Sequence, residues 1–421
     1  MQEDKLLSMF FEKERWEYAL TKGVDKDIRK DQLYQLAKPE VRSEMLALMR
    51  FGKYQITPPH IAKIPKDNGE FRTVYVNEPV DRVVLSIVND LLFDVMPEMI
   101  HPCCKSYQKG LGCGRVVQEI SKKICLTNGA VIGWKSDLSK YFDSVPIRYI
   151  DAAFDRVEEK FGHSAIIDVV RKYYHTDLFF DEDNQLRSQY QSLKQGCAVA
   201  AWLADAVLYD LDEKLSKLDG FYVRYSDDTL FVGNDYAKAM NVMVAELAEM
   251  EMTLNPKKVQ YLTHDTWFKF LGFSIKGGDI SLGKSRIKTF QKEIEKRTVK
   301  DRKATLKTAV NKVNRYLYKG YDNHSWATQV LPIVNVRSDI DTLNAFVMDC
   351  LRAVQTKKAK IGGLGYIDRQ TDGCITRGLG RNVKTNREKT EAEIEGYLSL
   401  GCMRNAIITR KAVFNTLVLN L

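Results

Sequence analysis

Tyr225-Ser226-Asp227-Asp228 decides the reading of this chain. It stands between two short β-prone runs, Phe221-Tyr222-Val223-Arg224 and Thr229-Leu230-Phe231-Val232, which predict a hairpin whose turn presents two carboxylates. Asp and Ser are common turn residues, so the four-residue string carries little by itself. It gains weight from a third acid some 90 residues upstream, Asp137 in Ser136-Asp137-Leu138-Ser139-Lys140-Tyr141-Phe142-Asp143-Ser144-Val145. The apolar run from Val131 to Trp134 leads into Asp137 and places it at the end of a strand. A strand-end acid and a hairpin pair of acids supply the hard oxygen ligands that magnesium takes. Two such ions about 4 Å apart can activate an attacking hydroxyl and steady a leaving pyrophosphate.

Working outward, the bulk numbers fit a soluble protein of two or three domains: 421 residues, 44% hydrophobic and 28% charged. No apolar run approaches the ~20 residues of a membrane span, and Met1-Gln2-Glu3-Asp4-Lys5 lacks a signal-peptide pattern, so a cytoplasmic protein without membrane contact is expected. The eight cysteines are irregularly spaced, without paired CxxC motifs, and read as reduced thiols. His101-Pro102-Cys103-Cys104 has no second ligand pair behind it, which argues against zinc. Net charge is +9, and it is focused. Residues 284–320 hold 13 Lys or Arg against 3 acids, and residues 351–390 hold 10 against 3, so the remainder of the chain is net negative. Two basic segments are an electrostatic footprint for a polyanion, although a basic run is more often only a solvated helix face.

Residues 1–50 carry apolar positions such as Leu6, Leu7, Phe10 and Phe11 among charges and predict helices. Ile61, Ile64, Val74 and Val76 flank Lys66-Asp67-Asn68-Gly69, an Asn-Gly hairpin signal. Helical spacing returns over 82–97, 115–126, 147–161, 198–217 and 236–252. Phe268-Lys269-Phe270-Leu271-Gly272-Phe273 predicts a strand and tight turn. Residues 284–320 read as helical, with Leu306, Val310, Val313 and Leu317 on one apolar stripe.

In this order and spacing the motifs resemble a bacterial reverse transcriptase of the group II intron and retron lineage, over about residues 25–320. The resemblance implies an α+β, right-hand polymerase fold: fingers, a palm whose antiparallel sheet carries the catalytic acids, a helical thumb, and a mainly helical basic C-terminal extension. The corresponding segments are 1–130 (N-terminal helices and fingers), 131–275 (palm, with part of the fingers inserted), 276–320 (thumb) and 321–421 (basic extension). It implies that Asp137, Asp227 and Asp228 are catalytic metal ligands for two Mg²⁺ ions, with Mn²⁺ as a substitute. Ile64 to Arg72 resembles the fingers hairpin, in which Lys66 and Arg72 grip the incoming triphosphate. Ser106-Tyr107-Gln108-Lys109-Gly110 resembles a block that frames the template. Phe142 matches the aromatic that screens the 2′ position in favour of dNTPs, and Gln195-Gly196 the motif lining the templating pair. Where the lineage usually continues with Ser-Pro, this chain has Ala200-Ala201 nearby. Asn255-Pro256-Lys257-Lys258 resembles the block whose lysine lies near the departing pyrophosphate, a role open to either lysine, with Lys257 taken as the nucleotide-binding one. Asp143 is read as structural.

The chain is most similar to the defence-associated enzymes, type 2 class, which copy a structured non-coding RNA into cDNA during phage infection. Partners implied are that RNA template, an RNA–DNA hybrid and dNTPs. The basic residues expected on nucleic acid are Lys284, Arg286, Lys288, Lys357, Lys358, Lys360, Arg377 and Arg381. Three alternatives stand beside this reading: untemplated or protein-primed synthesis of the abortive-infection type, an RNA-binding splicing cofactor on the same scaffold, and an RNA-dependent RNA polymerase, which Phe142 disfavours.

Overall fold

The computed structural model describes residues 3–21, 35–36, 38–66, 69–108, 110–319 and 325–357. The chain divides into two compact units, Met1–Lys109 with Ile132–Tyr261, and Gly110–Val131 with Leu262–Leu421. This division cuts across the linear segmentation, because Gly110–Val131 leaves the first unit and Leu262 onward joins the second. Among the described residues, no helix is long and apolar enough to cross a membrane.

The first unit carries strands β1 (His60–Pro65), β2 (Phe71–Val76), β3 (Gly133–Asp137), β4 (Leu178–Phe180), β5 (Leu186–Ser188), β6 (Phe221–Tyr225), β7 (Asp228–Val232) and, up to Tyr261, β8 (Gln260–Leu262). One sheet runs β2-β1-β4-β5 and the other β6-β7-β3-β8. The predicted Asn-Gly hairpin is β1–β2, antiparallel with His60 opposite Val76. The predicted acid-bearing hairpin is β6–β7, with Tyr225 opposite Asp228 and therefore a two-residue turn. β3 lies antiparallel to β7 and pairs Asp137 with Asp228.

Both faces of β3 are covered, so Trp134 is fully buried and stacks on Phe231 at 6.1 Å. The helix Pro79–Val95 starts with Pro at its first turn, where no N–H is missed. It buries Val83, Val84, Ile87, Val88, Leu91 and Leu92, as its spacing predicts. Asp81 ties its start to the preceding loop by accepting from Tyr54 Oη at 3.0 Å and Thr57 N at 2.9 Å. The 198–217 helix is two, Ala200–Ala206 and Tyr209–Ser216.

The second unit contains the helix Cys113–Leu126 and the meander β9 (Phe268–Phe270), β10 (Phe273–Lys276) and β11 (Asp279–Leu282). The predicted helical stretch 284–320 breaks into Lys284–Arg297, Leu306–Asn314 and a π-turn, Arg315–Lys319. Neither Pro nor Gly causes the break. Thr305 starts a new helix through a reciprocal cap with Thr308, a strong local start signal. The helix Arg337–Thr356 is tied to the meander because Asp339 Oδ2 accepts from Leu282 N at 3.2 Å.

Candidate active site

β3 ends at Asp137 because the segment after it is held by backbone bonds to Thr253–Asn255: Ser139 N donates to Thr253 O at 2.8 Å and Asn255 N to Asp137 O at 2.9 Å. Leu138 N donates to Asp227 O at 3.0 Å, which fastens the hairpin turn to the same strand end. These bonds bring the three acids together from two places in the sequence. The electrostatics follow from that crowding. Burial first, then the charges of Asp227 and Asp137, push the Asp228 carboxyl up to about 6. Asp227 is raised by burial and by Asp137. Lys258 Nζ donates to Asp137 Oδ2 at 2.7 Å. Burial would lower this ammonium, but its bond to Asp137 and the charges of Asp137, Asp227 and Asp228 raise it overall. Lys135 and Lys258 act against the crowding on Asp228, and Lys258 and Arg72 on Asp227, yet both carboxyls stay raised. Such an all-oxygen donor set suits hard divalent cations.

A cleft of about 880 Å³ opens beside these acids, within the first unit. Asp137, Asp227, Lys66, Arg72, Phe142 and Gln195 all line it. Asp228 is not on its wall and lies opposite Asp137 in the β3–β7 register. Asp143, read as structural, does line the cleft, with Lys140 beside it. Lys257, the lysine taken from sequence, is not on the cleft wall. Lys258, not Lys257, faces the cleft and reaches Asp137. Asn255 Oδ1 accepts from Lys257 N at 3.2 Å, which closes a tight turn just before Lys258.

Gln195 is held to the hairpin: Tyr75 N donates to Gln195 O at 2.7 Å. Gly196 has φ +107, and a Cβ there would lie 2.9 Å from Tyr75 O, so the close approach requires glycine. Phe142 is fixed from behind, its carbonyl accepting from Leu193 N at 3.1 Å. His101, the weak zinc candidate, has both ring nitrogens engaged, with Glu213 at 3.1 Å and Cys103 N at 3.2 Å.

In the second unit, Lys284 and Lys288 are exposed, as are Lys292 and Lys296 on the same helix. A four-residue spacing sets them in a ridge with roughly 6 Å between steps. Arg286 differs from the sequence expectation. It stacks over Phe273 at 4.2 Å and donates to Leu271 O at 3.3 Å, so its guanidinium is committed to the β9–β10 turn. Lys357 is exposed, while Lys358, Lys360, Arg377 and Arg381 lie outside the described residues.

Sequence reasoning missed the layer beneath the turn. Arg224, Asp212, Asp205 and Ser106 are all fully buried there. Arg224 donates to both carboxylate oxygens of Asp212 and to the carbonyls of Ala204, Asp205 and Ser226, at 2.6–3.2 Å. Every guanidinium N–H is thereby used. A charged residue inside a strand with apolar neighbours was the available signal.

A putative COX1/OXI3 intron 1 protein of Saccharomyces cerevisiae is 22% identical over 171 residues, 41% of this chain. The chain spans a fifth of that protein's length. Among solved structures, apo telomerase from Candida tropicalis matches 90% of this chain and 74% of its own at 12% identity and TM-score 0.47. The same organism's telomerase with a TWJ fragment of telomeric RNA matches 90% and 63% at 13% identity and TM-score 0.45. The sequence model of the reverse transcriptase (RNA-dependent DNA polymerase) family matches residues 64–275, half of the chain, a stretch that holds Asp137, Asp227, Asp228, Lys66, Arg72, Phe142 and Gln195. The chain belongs to the reverse transcriptase family.

Proposed function

We propose that this protein is an RNA-directed DNA polymerase, with the β6-β7-β3-β8 sheet as its palm, the β1–β2 hairpin as its fingers and the basic helices of the second unit as its thumb. One observation carries the reading: Asp137 and Asp227 share a cleft of about 880 Å³ with Lys66, Arg72 and Phe142. Asp137, Asp227 and Asp228 would hold divalent ions, Mg²⁺ by preference for hard oxygen ligands. Ions bound there supply polarisation of the primer 3′-hydroxyl and charge neutralisation at the leaving pyrophosphate.

The chain's own residues do the rest. Arg72 offers a planar fork and Lys66 a point charge to the triphosphate from the hairpin side. Lys258, which lines the cleft beside Asp137, would donate to the departing pyrophosphate. Phe142 fills the space a ribose 2′-hydroxyl needs. Positioning and charge dominate because little covalent chemistry falls to the protein. The lysine ridge Lys284, Lys288, Lys292 and Lys296 supports a contact with a nucleic-acid backbone. The finer assignment, to a defence-associated enzyme copying a structured non-coding RNA, draws its support from the focused positive charge.

Primer extension on RNA with dNTPs or NTPs tests the reading, beside Asp227→Ala. Synthesis from dNTPs that falls by ~10³-fold or more in the variant, with RNA binding retained, is the expected result. Full synthesis by Asp227→Ala would overturn it. Sequencing the product against co-purified RNA separates templated copying from untemplated addition.

A further inference from the structure

We propose that Ser106 and Asp205 are positioning residues that hold the turn carrying Asp227 in an otherwise unfavourable left-handed conformation; this rests on the polymerase reading above. The turn between Tyr225 and Asp228 has two residues. Ser226, the first, has φ +59, and Asp227 is not among the positive-φ residues. That is the pattern of a type II′ hairpin, whose first position strongly favours glycine. A serine persists there only when its surroundings over-determine it.

The surroundings do so from three sides. Ser226 N donates to Ser106 Oγ at 2.9 Å, Ser226 O accepts from Arg224 Nη1 at 3.2 Å, and Ser226 Oγ lies 3.2 Å from Tyr107 Oη. Tyr107 is itself left-handed, at φ +54, so two adjoining strained residues meet at the candidate metal site. The chain of bonds has one direction. Ser106 has a single hydroxyl proton, and it goes to Asp205 Oδ1 at 2.5 Å. Its lone pairs are then left to face the Ser226 N–H. Without the acceptor at 205 the hydroxyl could turn elsewhere, for instance to Cys104 Sγ, 3.2 Å away. Asp205 thus acts through Ser106, over 99 residues of sequence. It acts with one oxygen only, since Oδ2 has no hydrogen-bond partner. A side chain that uses one acceptor oxygen can be replaced by its amide.

The experiment combines primer-extension kinetics, Mg²⁺ titration and amide hydrogen exchange on the full chain. Ser106→Ala should lower kcat by about tenfold or more, because a small misplacement of reacting groups costs that much. It should raise the Mg²⁺ needed for half-maximal rate, leave the dNTP KM within about twofold, and speed exchange at Ser226. Asp205→Asn should match the wild type in all four. In a Ser226→Gly background, where the conformation is unstrained, Ser106→Ala should cost several-fold less. That pair keeps the test alive should the single Ser106 variant fold poorly. The proposal is overturned if Ser106→Ala keeps wild-type kcat and exchange, if Asp205→Asn falls as far as Ser106→Ala, or if the loss lies in dNTP KM. A wild-type protein inactive on every template sinks the polymerase reading instead, and exchange at Ser226 still decides the turn.

Discussion

The turn bearing Asp227 and the hairpin bearing Lys66 and Arg72 face one cleft but are built in opposite ways. The turn stands on fully buried charge: Arg224, Asp212 and Asp205 are sealed from solvent beneath it. The hairpin β1–β2 is fringed with exposed pairs, Lys63–Glu182 at 3.0 Å and Lys66–Glu70 at 3.7 Å, all four side chains 40–68% exposed. Buried charges bind tightly only while every partner is present, whereas exposed pairs contribute about 0–1 kcal/mol and exchange easily. The lesson is a division of labour. The acids are set on a floor of fully buried charge, and the cleft-facing cations of the hairpin stand among weak, exposed ion pairs that exchange easily.

The comparison breaks most visibly at Arg224. Arg224→Met leaves Asp212 buried without its partner and should cost about 3–5 kcal/mol, read as a lower midpoint in denaturant melts. A loss below about 1 kcal/mol would mean the floor is not rigid in the sense argued. On the hairpin the cost should be functional instead. Arg72→Ala should leave thermal stability almost untouched and cut kcat/KM for dNTP by ~10–100-fold, with Arg72→Lys recovering only part because the fork is lost. Between the two regions, Lys258→Ala should lower kcat by about tenfold while Lys257→Ala stays within about twofold. Equal losses would mean that the Asp137–Lys258 bond does not mark the working lysine.

The smallest effect is a pH dependence. Burial raises the Asp205 carboxyl from 3.8 to about 6, against the pull of Arg224. The folded protein therefore holds this proton to higher pH than the unfolded chain. Stability from this group is complete below about 4 and is lost as pH rises through about 6. Asp205→Asn carries no such dependence, so its melting temperature relative to wild type should climb by a few degrees between pH 4 and pH 7. A flat difference would show that burial does not strain the carboxylate.

Much of the architecture could be read before any coordinates, because it rests on local signals. The β6–β7 and β1–β2 hairpins follow from turn chemistry between alternating runs, and the helix Pro79–Val95 from its apolar spacing. The strands β4, β5 and β11 are three or four residues long, too short for a pattern to stand out. The break after Arg297 rests on a single cap at Thr305 inside an otherwise helical composition. The cleft residues were accessible as motifs, and Lys257 against Lys258 was not, since adjacent lysines carry the same local signal and only the long-range bond from Lys258 to Asp137 separates them. The floor was the least legible part. Ser106, Asp205, Asp212 and Arg224 look like surface residues in sequence, and only long-range pairing brings them into one buried group.

The bond from Tyr75 to Gln195, with Gly196 packed against the Tyr75 carbonyl, has a kinematic consequence. Two cleft walls more than a hundred residues apart in the chain are joined at a point with no slack. The hairpin cannot swing as a separate flap. If it moves, Gln195 travels with it, so the hairpin and the adjoining wall share a single degree of freedom.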